Sequence, residues 1–173
     1  LRTVEEDWPG GFARNKDQDQ EYLDRCPPPS INLSLKDFRV NGHTVSFEGV
    51  SPVAFRVDDQ GRLVAFAGSW GDRVTVDGRE TVFADKPLSL VSWAPVPQER
   101  RVPGGAILLM WVQGEGEIRV PAFTLPERVR LFAEGTAPGS RGTEIPCRRE
   151  GEMLVFDVTA ETQFRWLYVV PAE

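Results

Sequence analysis

From Ile31 onward, apolar and polar residues alternate in short runs that turn sequences separate. Alternation with a period of two is typical of strands that bury one face. Asn-Gly at 41–42 and Asp-Gly at 77–78 are hairpin signals, and Asp-Asp-Gln-Gly at 58–61 is typical of a turn that ends on a left-handed glycine. Such turns recur about every eight to twelve residues. The pattern predicts an all-β domain over residues 31–173, an antiparallel two-sheet β-sandwich of jelly-roll-like type.

Two runs, residues 106–112 and 166–170, carry apolar side chains on both faces of the predicted strand. An antiparallel sheet usually leaves one face wet, so a doubly apolar strand needs a reason. Either it is central and covered, or one of its faces lines a groove. Trp111 and Trp166 fall inside these runs, and we expect both in the core.

Residues 1–30 differ from the rest of the chain. They hold a polar, aspartate-rich stretch at 14–25, and Cys26 is followed by three prolines, which form a stiff extended spacer. We expect an irregular N-terminal extension here, either a linker or the tail of a preceding domain that packs back on the sandwich. No signal-peptide pattern opens the chain, so such a peptide is expected to have been removed or to lie upstream on a longer protein.

Composition and charge exclude several classes of partner. Hydrophobic residues make up 40% and charged residues 27%, which is the balance of a globular protein. The net charge of −6 disfavours nucleic acid, because phosphate-binding proteins gather Lys and Arg. The longest apolar run has seven residues, whereas about 20 are needed to cross a bilayer. We therefore expect neither a nucleic-acid partner nor a membrane partner.

The two cysteines, Cys26 and Cys147, lie far apart in the sequence. A disulfide between them would tie the extension to a late strand and restrict the unfolded chain. Two free thiols are the alternative, and the ordinary state in a cytosolic protein. With only one histidine, His43, the chain has too few soft ligands for a zinc site.

Candidate catalytic groups are few. His43 follows the turn at 41–42, so we expect it to be exposed at a hairpin tip rather than in a nucleophilic triad. Glu115 and Glu117 share one face of a strand, but acids near a tip are usually solvated and make poor general acids. Gly-Glu-Gly at 114–116 lacks the context of a phosphate-binding loop and predicts a hairpin turn. The sequence indicates no catalytic residue and no cofactor.

Structural calcium is the one metal that the sequence leaves open. Asp17 and Asp19, or Asp58 and Asp59, offer hard oxygen ligands in turns. Neither pair has the remaining ligands of a calcium loop, so the metal remains unknown.

The aromatic residues are the strongest remaining signal, with five Trp, ten Phe and two Tyr. Trp70 lies between glycines in a predicted loop, where it either plugs the end of the core or offers an open ring to the apolar C–H face of a sugar. Trp93, near a proline at a strand end, is either a rim aromatic or a core residue. We predict a carbohydrate site with Trp70 as the main stacking residue, Trp93 second, and Asp72, Arg73 and Gln98 as hydroxyl partners.

Four stretches carry a family resemblance: Phe-Ala-Asp-Lys-Pro at 83–87, Trp-Ala-Pro-Val at 93–96, Trp111, and Val-Arg-Leu-Phe-Ala-Glu-Gly at 129–135. Over residues 31–173 the chain resembles the β-sandwich accessory domains that follow catalytic barrels in bacterial glycoside hydrolases, a group that includes many carbohydrate-binding modules. The resemblance lies in the general sequence pattern of these stretches, and no short signature motif assigns binding residues.

The resemblance implies a non-catalytic module of a secreted polysaccharide-degrading enzyme that binds plant-type polysaccharide by aromatic stacking. Its expected partners are a polysaccharide or oligosaccharide and the catalytic domain of a parent chain. The alternative is a structural β-sandwich that packs on that catalytic domain and has no ligand of its own. A binding module needs an aromatic ring open to solvent, whereas a packing domain would present a broad aliphatic patch.

Overall fold

The structure, a computed structural model, describes residues 35–47, 51–69, 71–101 and 105–172. Within these ranges the chain forms fourteen strands and a short 3₁₀ helix, Gln98–Arg100. The strands are β1 (Leu35–Val40), β2 (His43–Phe47), β3 (Ser51–Val57), β4 (Leu63–Ser69), β5 (Arg73–Val76), β6 (Arg79–Val82), β7 (Leu90–Pro95), β8 (Leu108–Gln113), β9 (Gly116–Pro121), β10 (Val129–Glu134), β11 (Arg141–Ile145), β12 (Cys147–Glu150), β13 (Met153–Val158) and β14 (Trp166–Pro171).

Seven strands form one antiparallel sheet in the order β11-β10-β14-β8-β7-β4-β3. In β8, Leu108, Met110 and Val112 are buried, and the residues between them are only partly buried. Because side chains alternate across a strand, one face of this sheet closes on the core and the other lies outside the sandwich. We call these the inner face and the outer face.

Two smaller antiparallel sheets complete the fold, one in the order β1-β2-β5-β6 and the other in the order β12-β13-β9. An isolated bridge between Ala84 and Ile118 joins them, and the Arg119 N–H donates to the Phe83 carbonyl at 2.9 Å. The four-stranded sheet packs against the seven-stranded sheet. This arrangement confirms the predicted antiparallel β-sandwich.

Aromatic rings fill the space between the layers. Phe66 of β4 lies 5.1 Å from Trp93 of β7 and 5.3 Å from Phe83, measured between ring centroids, and Phe47 of β2 stacks on Phe66 at 6.2 Å. All four side chains are almost completely buried. Burial of a large apolar side chain contributes about 1.5 to 3 kcal/mol, so this cluster holds the two layers together.

The predicted turns adopt the backbone that their residues favour. Asn41 and Gly42 have φ of 50° and 83°, the left-handed pair that a two-residue hairpin turn requires. Asp77 and Gly78 repeat this geometry with φ of 49° and 75°. Gly61 has φ of 74° and donates its N–H to the Asp58 carbonyl at 3.1 Å. These turns fix the register of the hairpins around them.

The segment at 114–116 is not the hairpin turn that we predicted. It joins β8 of the seven-stranded sheet to β9 of the three-stranded sheet, so it carries the chain from one layer to the other. Gly114 and Gly116 have φ of 137° and 133°, and a Cβ on Gly116 would lie 2.5 Å from Asp85 Oδ1. Glycine is needed here because a side chain would both strain the backbone and clash.

The predicted extension, residues 1–30, lies outside the described residues and remains a prediction.

Candidate functional site

A groove of about 450 Å³ crosses the outer face of the seven-stranded sheet. It runs over β3, β4, β7, β8 and β14, which are neighbours in this sheet. We call it the outer groove. Its lining includes the residues Ala54, Arg56, Ala65, Ala67, Ser92, Ala94, Leu109 and Trp166. Because these residues come from alternate positions on adjacent strands, the register of the sheet brings them to one face.

Small side chains form the floor of the outer groove. Ala54 of β3 pairs with Ala67 of β4, and Ala67 pairs with Ser92 of β7. Ala65 and Ala94 occupy the next outward positions of β4 and β7. Large residues at these positions would fill the groove, so the depth of the groove results from this run of alanine and serine.

Trp166 lines one end of the outer groove, and Trp111 lies beside it on the same face. Trp111 of β8 pairs directly with Trp166 of β14, and their rings meet edge to face with centroids 5.4 Å apart and planes at 69°. Trp166 is 43% exposed, and Trp111 is half-buried. Their strand neighbours Met110 and Leu167 point to the core instead. The alternation of each strand therefore places both indoles on the outer face.

Phe164 lies two residues before Trp166 and is also exposed, at 54%. Its φ is 59°, in the left-handed region that bulky side chains rarely adopt. Its N–H donates to the carbonyl of Val112 in β8 at 3.1 Å, which holds the backbone in place. Strained backbone of this kind is often kept where a side chain serves a function. Phe164 thus presents a further exposed aromatic ring two residues before Trp166.

Among the residues that the structure describes, Arg56 of β3 is the charged one that lines the outer groove. It is exposed, and among the described residues it makes no hydrogen bond or ion pair. Several other arginines are held by carboxylates, as in the pair between Arg73 and Glu80 at 3.1 Å. The guanidinium of Arg56 is therefore available to a ligand.

Tyr168 of β14 lies on the outer face beside Leu109, with which it pairs. Burial, together with its hydrogen bond to the Glu134 carboxylate, raises the pKa of Tyr168 to about 12. The hydrogen bond from the N–H of Gly139 is the main cause that lowers the pKa of Glu134 below its usual range, and the hydrogen bond from Tyr168 adds to it. The phenol thus stays neutral at physiological pH and donates a hydrogen bond to the Glu134 carboxylate.

Trp93 occupies the core and not a rim. It is 1% exposed, it packs against Phe66 and Phe83, and it points to the inner face. A ring in this position has no face open to a ligand, so the stacking role predicted for Trp93 is corrected. The alternation was visible in the sequence, because Ser92 and Ala94 flank it and turn the opposite way.

We expected Trp166 and Trp111 in the core, and the structure places both indoles on the outer face instead. Both belong to strands that are apolar on the two faces, so alternation alone could not assign their direction. The register with neighbouring strands decides it. We gave two interpretations of these strands, a covered central strand or a strand with one face lining a groove. The structure supports the second.

The other predicted sugar ligands are not brought together. Asp72 and Arg73 pair with each other at 2.9 Å, which lowers the pKa of the Asp72 carboxyl, and Arg73 belongs to the four-stranded sheet. Gln98 begins the short 3₁₀ helix between β7 and β8, and no hydrogen bond joins it to Asp72 or Arg73 within the described ranges. Trp70, the main predicted stacking residue, lies outside the described residues.

The structure shows Cys147 as a free, half-buried thiol, and no disulfide to it is seen. Its partner in the predicted disulfide, Cys26, lies outside the described residues. Burial raises the pKa of the Cys147 thiol, and Glu144 adds to the effect. A raised pKa keeps the thiol protonated and unreactive.

Two of the predicted carboxylates, Asp58 and Glu117, accept hydrogen bonds from protein donors. Asp58 accepts hydrogen bonds from the backbone of Gln60 at 3.0 Å and of Arg62 at 2.9 Å, and Asp17 and Asp19 lie outside the described residues. No group of three metal-ligating side chains occurs within the described ranges. Hydrogen bonds from Arg148, the larger effect, and from Arg119 lower the pKa of Glu117. A general acid needs a raised pKa instead.

His43 is less exposed than we predicted. Its Nδ1 lies 2.6 Å from Asp77 Oδ2, and its side chain is 18% exposed. The hydrogen bond to Asp77 raises the pKa of His43, although burial opposes it. The pair links the two hairpin turns at 41–42 and 77–78, which is a structural role.

No protein-family model, curated protein or solved structure matches this chain. In the part of the chain that the structure describes, no helix has the length and apolar character that crossing a bilayer requires. The outer groove is therefore interpreted from its own geometry.

Proposed function

We propose that this chain is a non-catalytic carbohydrate-binding module that holds a plant-type polysaccharide in the outer groove by aromatic stacking. The observation that carries the proposal is the half-exposed indole of Trp166, set against Trp111 at the end of a groove with a floor of small side chains. An indole face receives the C–H face of a sugar ring, and nearby polar groups bind its hydroxyls.

The shape of the outer face supports this reading. A groove about 450 Å³ in volume accepts a short stretch of a chain-like ligand, and the alanine floor allows the ligand to approach the sheet closely. Ser92 in the floor and Arg56 at the far end offer polar groups. Stacking with a few hydrogen bonds gives micromolar to millimolar affinity, about 4 to 8 kcal/mol, which suits a module that releases and rebinds along a polymer.

We further propose that the module belongs to a secreted polysaccharide-degrading enzyme and works beside a catalytic domain of the same parent chain. The resemblance to accessory domains of glycoside hydrolases supports this placement. The module would hold the substrate near that catalytic domain and raise its local concentration, as linked binding sites do. No reaction is assigned to the module itself.

A structural accessory domain is the second candidate, because apolar side chains are exposed at the sheet edges. Val53 in the edge strand β3 is 75% exposed, and Phe38 in β1 is 40% exposed. Phe38 contacts Phe55 of β3 edge to face at 5.9 Å, so the edges of the two sheets share an apolar contact. A catalytic domain packed on this margin would give the chain a structural role that needs no ligand.

Affinity electrophoresis against cellulose, xylan, mannan, β-glucan and pectin tests the proposal. We expect at least one of these gels to retard the protein. Trp166→Ala should weaken the retardation about tenfold or more, because truncation of an aromatic anchor removes a large share of the binding energy. Ala67→Leu should do the same by filling the floor of the groove.

Phe38→Ala is the matched control, since it removes an aromatic ring of similar exposure from a different sheet. It should bind as the unaltered protein does. Thermal unfolding of every variant shows whether the fold is intact. Failure of all five gels to retard the unaltered protein, or equal retardation of the Trp166→Ala variant, would overturn the proposal and favour the structural accessory domain.

A further inference from the structure

The outer groove has two chemically different ends. Trp166 of β14, with Trp111 of β8 beside it, forms the aromatic end, and Arg56 forms the cationic end on β3. Four strand spacings separate β3 from β14, which corresponds to about 19 Å. A bound oligosaccharide that reaches from one end to the other therefore meets an aromatic ring with one unit and a guanidinium with another.

The charge at the cationic end stands out against the rest of the protein. The chain has a net charge of −6, yet Arg56 lines the groove and no carboxylate does so among the described residues. Several arginines elsewhere are paired with carboxylates, for example Arg130 with Glu144 at 2.6 Å and Arg62 with Asp58 at 2.8 Å. An exposed guanidinium without a partner is the group that binds a carboxylate through two parallel hydrogen bonds.

We infer that the glycan held in the outer groove is acidic and carries a uronic acid unit whose carboxylate binds Arg56 while a neighbouring part of the chain stacks on Trp166. This inference rests on the proposed function and specifies the class of polysaccharide. The small side chains of Ala54 and Ala65 beside Arg56 leave space for the acidic unit to approach the guanidinium. Hydroxyls alone would gain less from the guanidinium than a carboxylate gains.

Matched polysaccharides test the inference. Polygalacturonate, alginate and glucuronoxylan are compared by affinity electrophoresis and titration calorimetry with their carboxyl-reduced forms, which keep the linkage and lose the charge. At least one acidic form should bind about tenfold more tightly than its reduced form, the difference expected from one charge-assisted hydrogen-bonded pair. Added salt should reduce this preference, because the pair is exposed.

Arg56→Gln should abolish the preference for the acidic form, while the affinity for the reduced form should fall much less, since glutamine still donates a hydrogen bond to a hydroxyl. Arg39→Gln is the matched control, because Arg39 is an exposed arginine of β1 in the four-stranded sheet. It should keep the preference. Trp166→Ala should weaken both forms equally.

The outcomes separate the inference from the proposed function. Equal binding of acidic and reduced forms, or a preference that survives in Arg56→Gln, overturns the acidic ligand and leaves the carbohydrate-binding module standing. Failure of every polysaccharide, acidic or neutral, to bind the unaltered protein overturns both.

Discussion

Trp93 and Trp166 belong to the same seven-stranded sheet and lie on its opposite faces. Trp93 is 1% exposed and contacts the rings of Phe66 and Phe83, whereas Trp166 is 43% exposed and has Trp111 as its aromatic neighbour. On the inner face an indole stabilises the fold by burial. On the outer face the same side chain keeps a surface that a ligand can cover. Residue type alone does not distinguish the two roles, and the direction of the side chain does.

The largest expected effect comes from truncating these two tryptophans in turn. Trp93→Ala should lower the free energy of unfolding by about 3 to 5 kcal/mol, because it leaves a cavity in the core. Trp166→Ala should cost about 1 kcal/mol, mainly the lost ring contact with Trp111. Urea denaturation followed by far-UV circular dichroism measures both. Similar losses for the two variants would show that the outer face contributes to stability as the core does.

A smaller effect is expected at Phe164, which has a left-handed backbone and an exposed ring. Phe164→Gly and Phe164→Ala both remove the ring, but only glycine adopts this backbone without strain. The glycine variant should therefore be more stable than the alanine variant by about 1 kcal/mol. Thermal and urea unfolding provide the comparison. Equal stability would mean that the backbone at this position relaxes and stores no strain.

The smallest effect concerns the ionisation of Tyr168 on the outer face. The folded protein should release the Tyr168 proton at about pH 12, because burial and the bond to Glu134 raise its pKa. A raised folded-state pKa means that this contribution to stability is complete below about pH 10 and is lost as the pH rises through 12. Glu134→Gln should lower the pKa only in part, since burial is the larger cause.

Ultraviolet titration of tyrosinate measures this ionisation. The chain has two tyrosines, so Tyr22→Phe leaves Tyr168 as the one that absorbs. Titration of Tyr168 near its ordinary value of about 10 would show that water reaches the phenol and that the outer face is more open around β14 than described.

The fold was predictable because its determinants are local. The turns need a left-handed backbone at Asn41, Asp77 and Gly61. Asparagine, aspartate and glycine tolerate this backbone, so the residue types predict these turns from the sequence. Alternation then assigns the faces of strands with one polar side, as in β7, where Ser92 and Ala94 turn away from Trp93. This alternation favours the core for Trp93, the one of its two expected placements that the structure shows.

The candidate site was less predictable because its determinants are not local. In β8 and β14 both faces are apolar, so nothing within either strand states which side Trp111 or Trp166 occupies. The pairing of β8 with β14 and β7 settles this, and the pairing involves segments distant in the sequence. The alanines at 65 and 67 were a signal, since small residues at alternate positions indicate a face on which something else can lie.

The pairing of β14 with β8 also has a consequence for folding kinetics. All of β9 to β13 intervenes between these strands along the chain, so Trp111 and Trp166 meet only after a long loop has closed. Contacts of this kind slow folding, since the entropy of loop closure is lost before the contacts compensate for it. Neither tryptophan can form the aromatic end alone, and a chain truncated before β14 would lack it. Ligand capture by the outer groove would therefore report that the last strand has joined the sheet.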